Sequence, residues 1–159
     1  MTEGLIFGNV NRFAIEISKP ATKARLRLWI EGEPFGGFKR SGDLCHSMED
    51  LRLLLRHLDS LTERAITRKT PEEMFAWLLD TPSNALHQKR RKYIRFLGDQ
   101  MDDLSMFSRL HDGQLEWTFR TCRTKVPRFT SVLLDKDAVA KVCTKYVAWC
   151  ERLHTRSHR

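Results

Sequence analysis

Residues 89–95 concentrate positive charge in the order Lys89-Arg90-Arg91-Lys92, then Tyr93-Ile94-Arg95. Guanidinium forks suit phosphates and carboxylates alike, so such a run grips a nucleic-acid backbone or an acidic protein face, or is simply solvated. On a helix Arg91 and Arg95 stack one turn apart while Tyr93, Ile94 and Leu97 turn inward. Just downstream, Asp99, Asp102 and Asp103 form an acidic group. Helical spacing puts Asp99 and one of the other two on a common face, where they would hold a divalent cation, meet a basic partner or stay solvated.

The remaining reactive side chains fall into no pattern of catalysis. Cys45, Cys122, Cys143 and Cys150 include no C-x-x-C pair and read as free thiols, with Cys143 and Cys150 seven apart on one buried helix face. Of the six histidines, none lies in H-E-x-x-H or pairs with a cysteine at zinc-ligand spacing. Cys45-His46 are neighbours, but adjacent side chains diverge on both helix and strand, which argues against a nucleophile with its base. The glycines of 4–8 and 32–42 lack phosphate-cradling spacing and read as turns. No catalytic residue, cofactor or metal ligand is assigned.

Elements able to position these groups must come from 159 residues, 41% hydrophobic, with four Trp and nine Phe. That is enough for one ordinary core and one domain, taken as residues 1–159. No run approaches the ~20 apolar residues that span a bilayer, and the N-terminus lacks a signal-like pattern, so the expected location is cytoplasmic, with no membrane partner. Charge is lopsided: residues 1–80 hold 12 Lys and Arg against 12 Asp and Glu, residues 81–159 hold 16 against 8. The net +8 therefore belongs to the second half.

Phe13, Ile15 and Ile17 alternate with Arg12, Ala14, Glu16 and Ser18, and Leu26, Leu28 and Ile30 with Arg25, Arg27 and Trp29, predicting two strands, with Glu31 to Pro34 as the turn of an antiparallel meander. Ser47 with Asp50 three residues on reads as a helix start before Leu51, Leu54, Leu55, Leu58 and Leu61. Thr70-Pro71-Glu72-Glu73 is a fuller start, with Met74, Trp77 and Leu78 inward. Thr81 to Asn84 breaks the chain. Leu86, Tyr93, Ile94, Leu97, Met101 and Leu104 then predict a helix bent near Gly98. His111-Asp112-Gly113 is a turn, followed by strands over 115–119 and 129–134, and from Asp135 the spacing of Val139, Val142, Cys143, Tyr146, Cys150 and Leu153 predicts a last helix ending in a frayed basic tail. The order points to an α+β fold, an antiparallel β-sheet packed with several α-helices.

The opening Gly4-Leu5-Ile6-Phe7-Gly8-Asn9-Val10-Asn11-Arg12-Phe13-Ala14-Ile15-Glu16 resembles the start of bacterial immunity proteins of the family called immunity protein forty-two. So do Leu28-Trp29-Ile30-Glu31-Gly32-Glu33-Pro34-Phe35-Gly36 and the leucine-rich helix over 47–61. The resemblance implies a cytoplasmic antidote, with no catalysis of its own, that binds the C-terminal domain of a cognate polymorphic or contact-dependent growth inhibition toxin, one to one. Were that toxin a nuclease holding its metal with carboxylates, Arg90, Arg91 and Arg95 would plug its acidic centre. On this reading Lys89, Arg90, Arg91, Arg95, Asp99, Asp102 and Asp103 are the candidate partner-binding residues. The alternatives are a small nucleic-acid-binding protein using the basic second half, and an enzyme whose site is assembled from distant residues.

Overall fold

The computed structural model describes residues 4–62, 64–80, 90–121 and 124–158. Among the described residues, two four-stranded antiparallel sheets and a short two-stranded one carry four named α-helices, an α+β architecture. The first sheet runs β1 (Leu5–Asn9), β2 (Phe13–Ile17), β4 (Leu26–Ile30), β5 (Glu33–Phe35), with β3 (Lys23–Ala24) pairing β6 (Gly42–Asp43) beside it. The meander turn is tighter than the sequence suggests. Glu31 and Gly32, with φ of 52° and 85°, make a two-residue turn, so that Glu33 and Pro34 already belong to β5. Pro34 costs no ladder bond there because β5 is an edge.

Helix α1 (Leu44–His57) begins three residues before the expected Ser47. Asp43 caps it, accepting from the Cys45 amide at 2.8 Å. Ser47 instead lies inside, its hydroxyl donating to the Leu44 carbonyl and sharing a 2.7 Å bond with the Tyr146 hydroxyl. After α2 (Arg64–Thr67), helix α3 (Pro71–Phe75) starts with the capping box expected of Thr70 and Glu73, and runs on as a wider π-helical turn through Asp80. Helix α4 (Lys136–Ser157) is capped by Asp135 and buries Val139, Val142, Cys143, Tyr146 and Cys150, the stripe its spacing predicts. Its helical hydrogen bonding extends through most of the basic tail expected to fray. It packs on α1, β1 and β2, with Phe7 edge-on to Tyr146 at 5.4 Å.

The second sheet departs furthest from expectation. Residues 90–104 are not one bent helix. Arg90 and Arg91 are helical, Ile94–Arg95 is strand β7, Asp99–Met101 is a 3₁₀ turn after Gly98 at φ 99°, and β8 spans Leu104–His111. The period is two. Tyr93, Arg95 and Leu97 are buried while Phe96 is exposed, a strand alternation hidden by an arginine at an inward position. Asp112 and Gly113, both at positive φ, form the two-residue turn joining β8 to β9 (Gln114–Thr121). Strand β10 (Phe129–Leu134) closes the other edge.

The centre of this sheet is covered twice. Leu115, Trp117 and Phe119 face the first sheet, Trp117 meeting Phe13 at 5.8 Å and Phe119 stacking on Phe35 at 4.2 Å. On the opposite face Phe75 of α3 packs on Phe107 and Phe129. The buried apolar residues of both sheets and of α1, α3 and α4 form one continuous cluster. Burying a Trp or Phe in such a core is worth several kcal/mol, about 3–5 on truncation. Among the described residues no helix is long and apolar enough to cross a membrane.

Candidate partner interface

The outward face of α1 presents His46, Glu49, Leu53 and Arg56 at intervals of three and four, opposite the buried Leu44, Met48, Leu51 and Leu54. Against this face lies the segment around β7. Together they enclose an open groove of about 340 Å³, lined by His46, Leu53 and Phe96, by Arg52, Arg56 and Arg91, and by the acids Glu49 and Asp50. Phe96 is 44% exposed and sits 5.7 Å from the His46 ring. On its other side an apolar groove of about 240 Å³ runs past Leu79, Met101, Asp102 and Leu104. Phe96 is thus a ridge between a cationic groove and an apolar one, and an exposed aromatic rimmed by arginines is the composition that dominates binding energy at protein interfaces.

Beneath the ridge Asp50 is buried between two arginines. Arg91 Nη1 reaches Asp50 Oδ1 at 3.2 Å and the Ile94 carbonyl at 3.1 Å, while Arg95, wholly buried, places Nη1 3.6 Å from Asp50 Oδ2. Arg95 also donates to the Lys92 carbonyl at 2.6 Å. Burial pushes the Asp50 carboxyl above its ordinary value, opposed by Arg95, Arg91 and the Phe96 amide. The same burial lowers Arg95, with Asp50 opposing it. Arg95 Nε and Asp50 Oδ2 are buried without a hydrogen bond.

The basic run therefore does not present one face. Arg90 is buried, donating to the Trp77 carbonyl at 2.9 Å with its guanidinium 4.7 Å over the Trp77 ring. Lys92 donates to the Ser60 carbonyl. Of the six described candidates, Arg90, Arg91, Arg95, Asp99, Asp102 and Asp103, Arg91 alone lines the cationic groove with a partly exposed head; Lys89 lies outside the described residues, as do Thr81 to Asn84, Leu86 and Cys122. The helical stacking expected of Arg91 on Arg95 gives way to a shared hold on Asp50. The acidic group is also dispersed: Asp102 pairs with Arg40 at 2.5 Å, Asp99 is exposed, and an Asp103 oxygen lies near Gly37. Asp102 nonetheless borders the apolar side of the Phe96 ridge.

Sequence reasoning missed Phe96, Leu79, Leu53, Arg52 and Arg56. One signal was present: Phe96 fell off the apolar stripe of the helix predicted around it, and a large apolar residue out of pattern is the informative kind. A bigger groove, about 830 Å³, lies between the β1–β2 turn and the start of α4. Its walls balance Arg12, Lys141 and Lys145 against Glu31, Asp135 and Asp137, so it offers no comparable selectivity of charge.

With this geometry in place, comparison with known proteins decides the family. The family model described as Immunity protein 42 matches residues 5–149. The chain belongs to the immunity protein 42 family. No curated protein and no solved structure matches it. The glycine of the Ile6-Phe7-Gly8 opening has a structural reason in this fold. Gly8, at φ 102°, brings β1 so close to its neighbours that a Cβ would stand 2.4 Å from the Phe13 carbonyl oxygen and 2.7 Å from Val142 of α4.

Proposed function

We propose that this immunity protein acts in the cytoplasm by binding, one to one, the C-terminal domain of a cognate polymorphic or contact-dependent growth inhibition toxin, with the Phe96 ridge as the centre of contact. The observation that carries the reading is the family match across residues 5–149. The ridge supports the location, because it combines an aromatic anchor, an arginine groove and an apolar groove on one surface. Arg91, Arg52 and Arg56 supply charge that steers an acidic toxin surface, and Asp102 meets a basic group across the apolar side. Arg90 and Arg95 act from beneath, holding the segment that presents Phe96. The reading asks for no chemistry of this chain.

The test is co-expression with the toxin domain encoded upstream, scoring growth rescue and affinity. Phe96→Ala should keep the fold and weaken the complex by about 30-fold or more, the 2 kcal/mol scale of a central aromatic contact. Unchanged affinity would move the contact elsewhere; absence of any complex would remove the function. Nucleic-acid binding through the basic second half is less supported, because Arg90, Arg95 and Arg109 are buried and withdrawn from external phosphates.

A further inference from the structure

Short-range spacing finds no cysteine–histidine ligand pair, yet the fold brings one together from opposite ends of the chain. The start of α1 meets the last turns of α4, and there one ligand atom each of Asp43, Cys45 and His154 lies within 4.8 Å of the others. Among the described residues this is the group of three such side chains that converges. Its setting matches a coordination site in a further respect. His154 Nδ1 is 2.8 Å from the Cys150 carbonyl, which only accepts, so Nδ1 carries the proton. That leaves Nε2 with its lone pair toward Asp43 and Cys45, as a backbone carbonyl commonly orients a metal-binding imidazole.

His154 Nε2 is buried and makes no hydrogen bond; the facing Asp43 Oδ1 is 3.7 Å away. That separation is too long for a hydrogen bond but fits ligands of one tetrahedral ion, whose donor atoms stand about 3.3–3.7 Å apart given metal–ligand bonds of ~2.0–2.3 Å. We propose that Asp43, Cys45 and His154 bind a zinc-class divalent cation that clamps the end of α4 to the start of α1. Thiolate and imidazole select zinc over magnesium or calcium. A thiolate, a carboxylate and a neutral imidazole balance the two positive charges of the ion. Metal entry displaces the Cys45 thiol proton to solvent. Glu49 Oε1, 3.9 Å from the Cys45 sulfur, or a water takes the fourth position.

The test uses the full chain with no histidine tag, stripped of metal and titrated with cobalt(II). One equivalent should bind with a thiolate-to-cobalt charge-transfer band, and zinc should displace it and raise the melting temperature. Cys45→Ser and His154→Gln should abolish the band and the zinc-dependent stabilisation while retaining native circular dichroism. Asp43→Asn preserves the helix cap, and should weaken cobalt binding with the band still visible. Absence of a thiolate band in the wild type, or a band that survives Cys45→Ser, would overturn the assignment.

Discussion

Two buried arginine–carboxylate pairs sit on opposite sides of this fold, and they are built to different standards. Arg109 and Glu116, facing each other across β8 and β9, meet at 2.5 Å through Nε and 3.5 Å through Nη2. The Arg109 Nη1 also donates to the Ile66 and Lys69 carbonyls, both at 2.7 Å. Those bonds fasten the α2 segment to the sheet. Arg95 and Asp50 have the same chemistry and deeper burial, but their charged groups come no closer than 3.6 Å and each keeps a polar atom without a hydrogen bond. A closed pair makes its neighbourhood rigid; an open one, beneath an exposed aromatic ridge, leaves polar capacity that a partner or water can complete.

The comparison is broken most decisively through Arg109. Arg109→Met strands Glu116 and two carbonyls inside, and should cost about 3–5 kcal/mol in urea unfolding. Arg95→Met should cost less, about 1–3 kcal/mol, because Asp50 keeps Arg91 and the Phe96 amide. If the two losses prove equal, the pairs are equivalent and the distinction fails. Arg91→Gln sharpens the contrast from the surface side: unfolding should move by under about 1 kcal/mol, while toxin association slows and loses salt dependence.

The smallest effect is expected at a third pair, Glu16 with Arg27. Burial raises the Glu16 carboxyl, but the Arg27 and Trp29 hydrogen bonds, both 2.6 Å, outweigh it and hold it below its ordinary value. A carboxyl depressed on folding stabilises above its unfolded value and loses that contribution as pH falls through the folded one. The stability gap between wild type and Glu16→Gln should therefore be full at neutral pH and shrink below about pH 4. A gap unchanged in acid would mean that Glu16 acts through packing rather than charge.

What the sequence made legible follows from the same contrast. Where one strand face is apolar and the other polar, as in β2, β4 and β9, alternation located the strand. Thr70 and Glu73 announced α3, and the stripe from Val139 to Cys150 announced α4. Strands β7 and β8 escaped because Arg95 and Arg109 occupy inward positions, and a charge at a core position erases the period that would reveal it. The Asp112-Gly113 turn before a strand did imply a partner strand ahead of it, and this was the available clue. Asp50 was read as the acid of a helix-capping pair, whereas it is the hub beneath the candidate interface. Local motifs record neighbours in sequence. The ridge needed α1 and β7 to meet, forty residues apart, and no local pattern encodes that.

The close approach of Gly8 to Val142 has a consequence for how the molecule comes into being. The apolar face of the first sheet is covered by the second sheet at Phe13 and Phe35 and, over β1 and β2, by α4, the helix farthest from it along the chain. A ribosome that has delivered β1 to β5 has made a sheet with one face still bare, and closure waits for the segment around Val142 to emerge. Long-range closure of this kind slows folding and keeps the early sheet in need of protection from aggregation during synthesis.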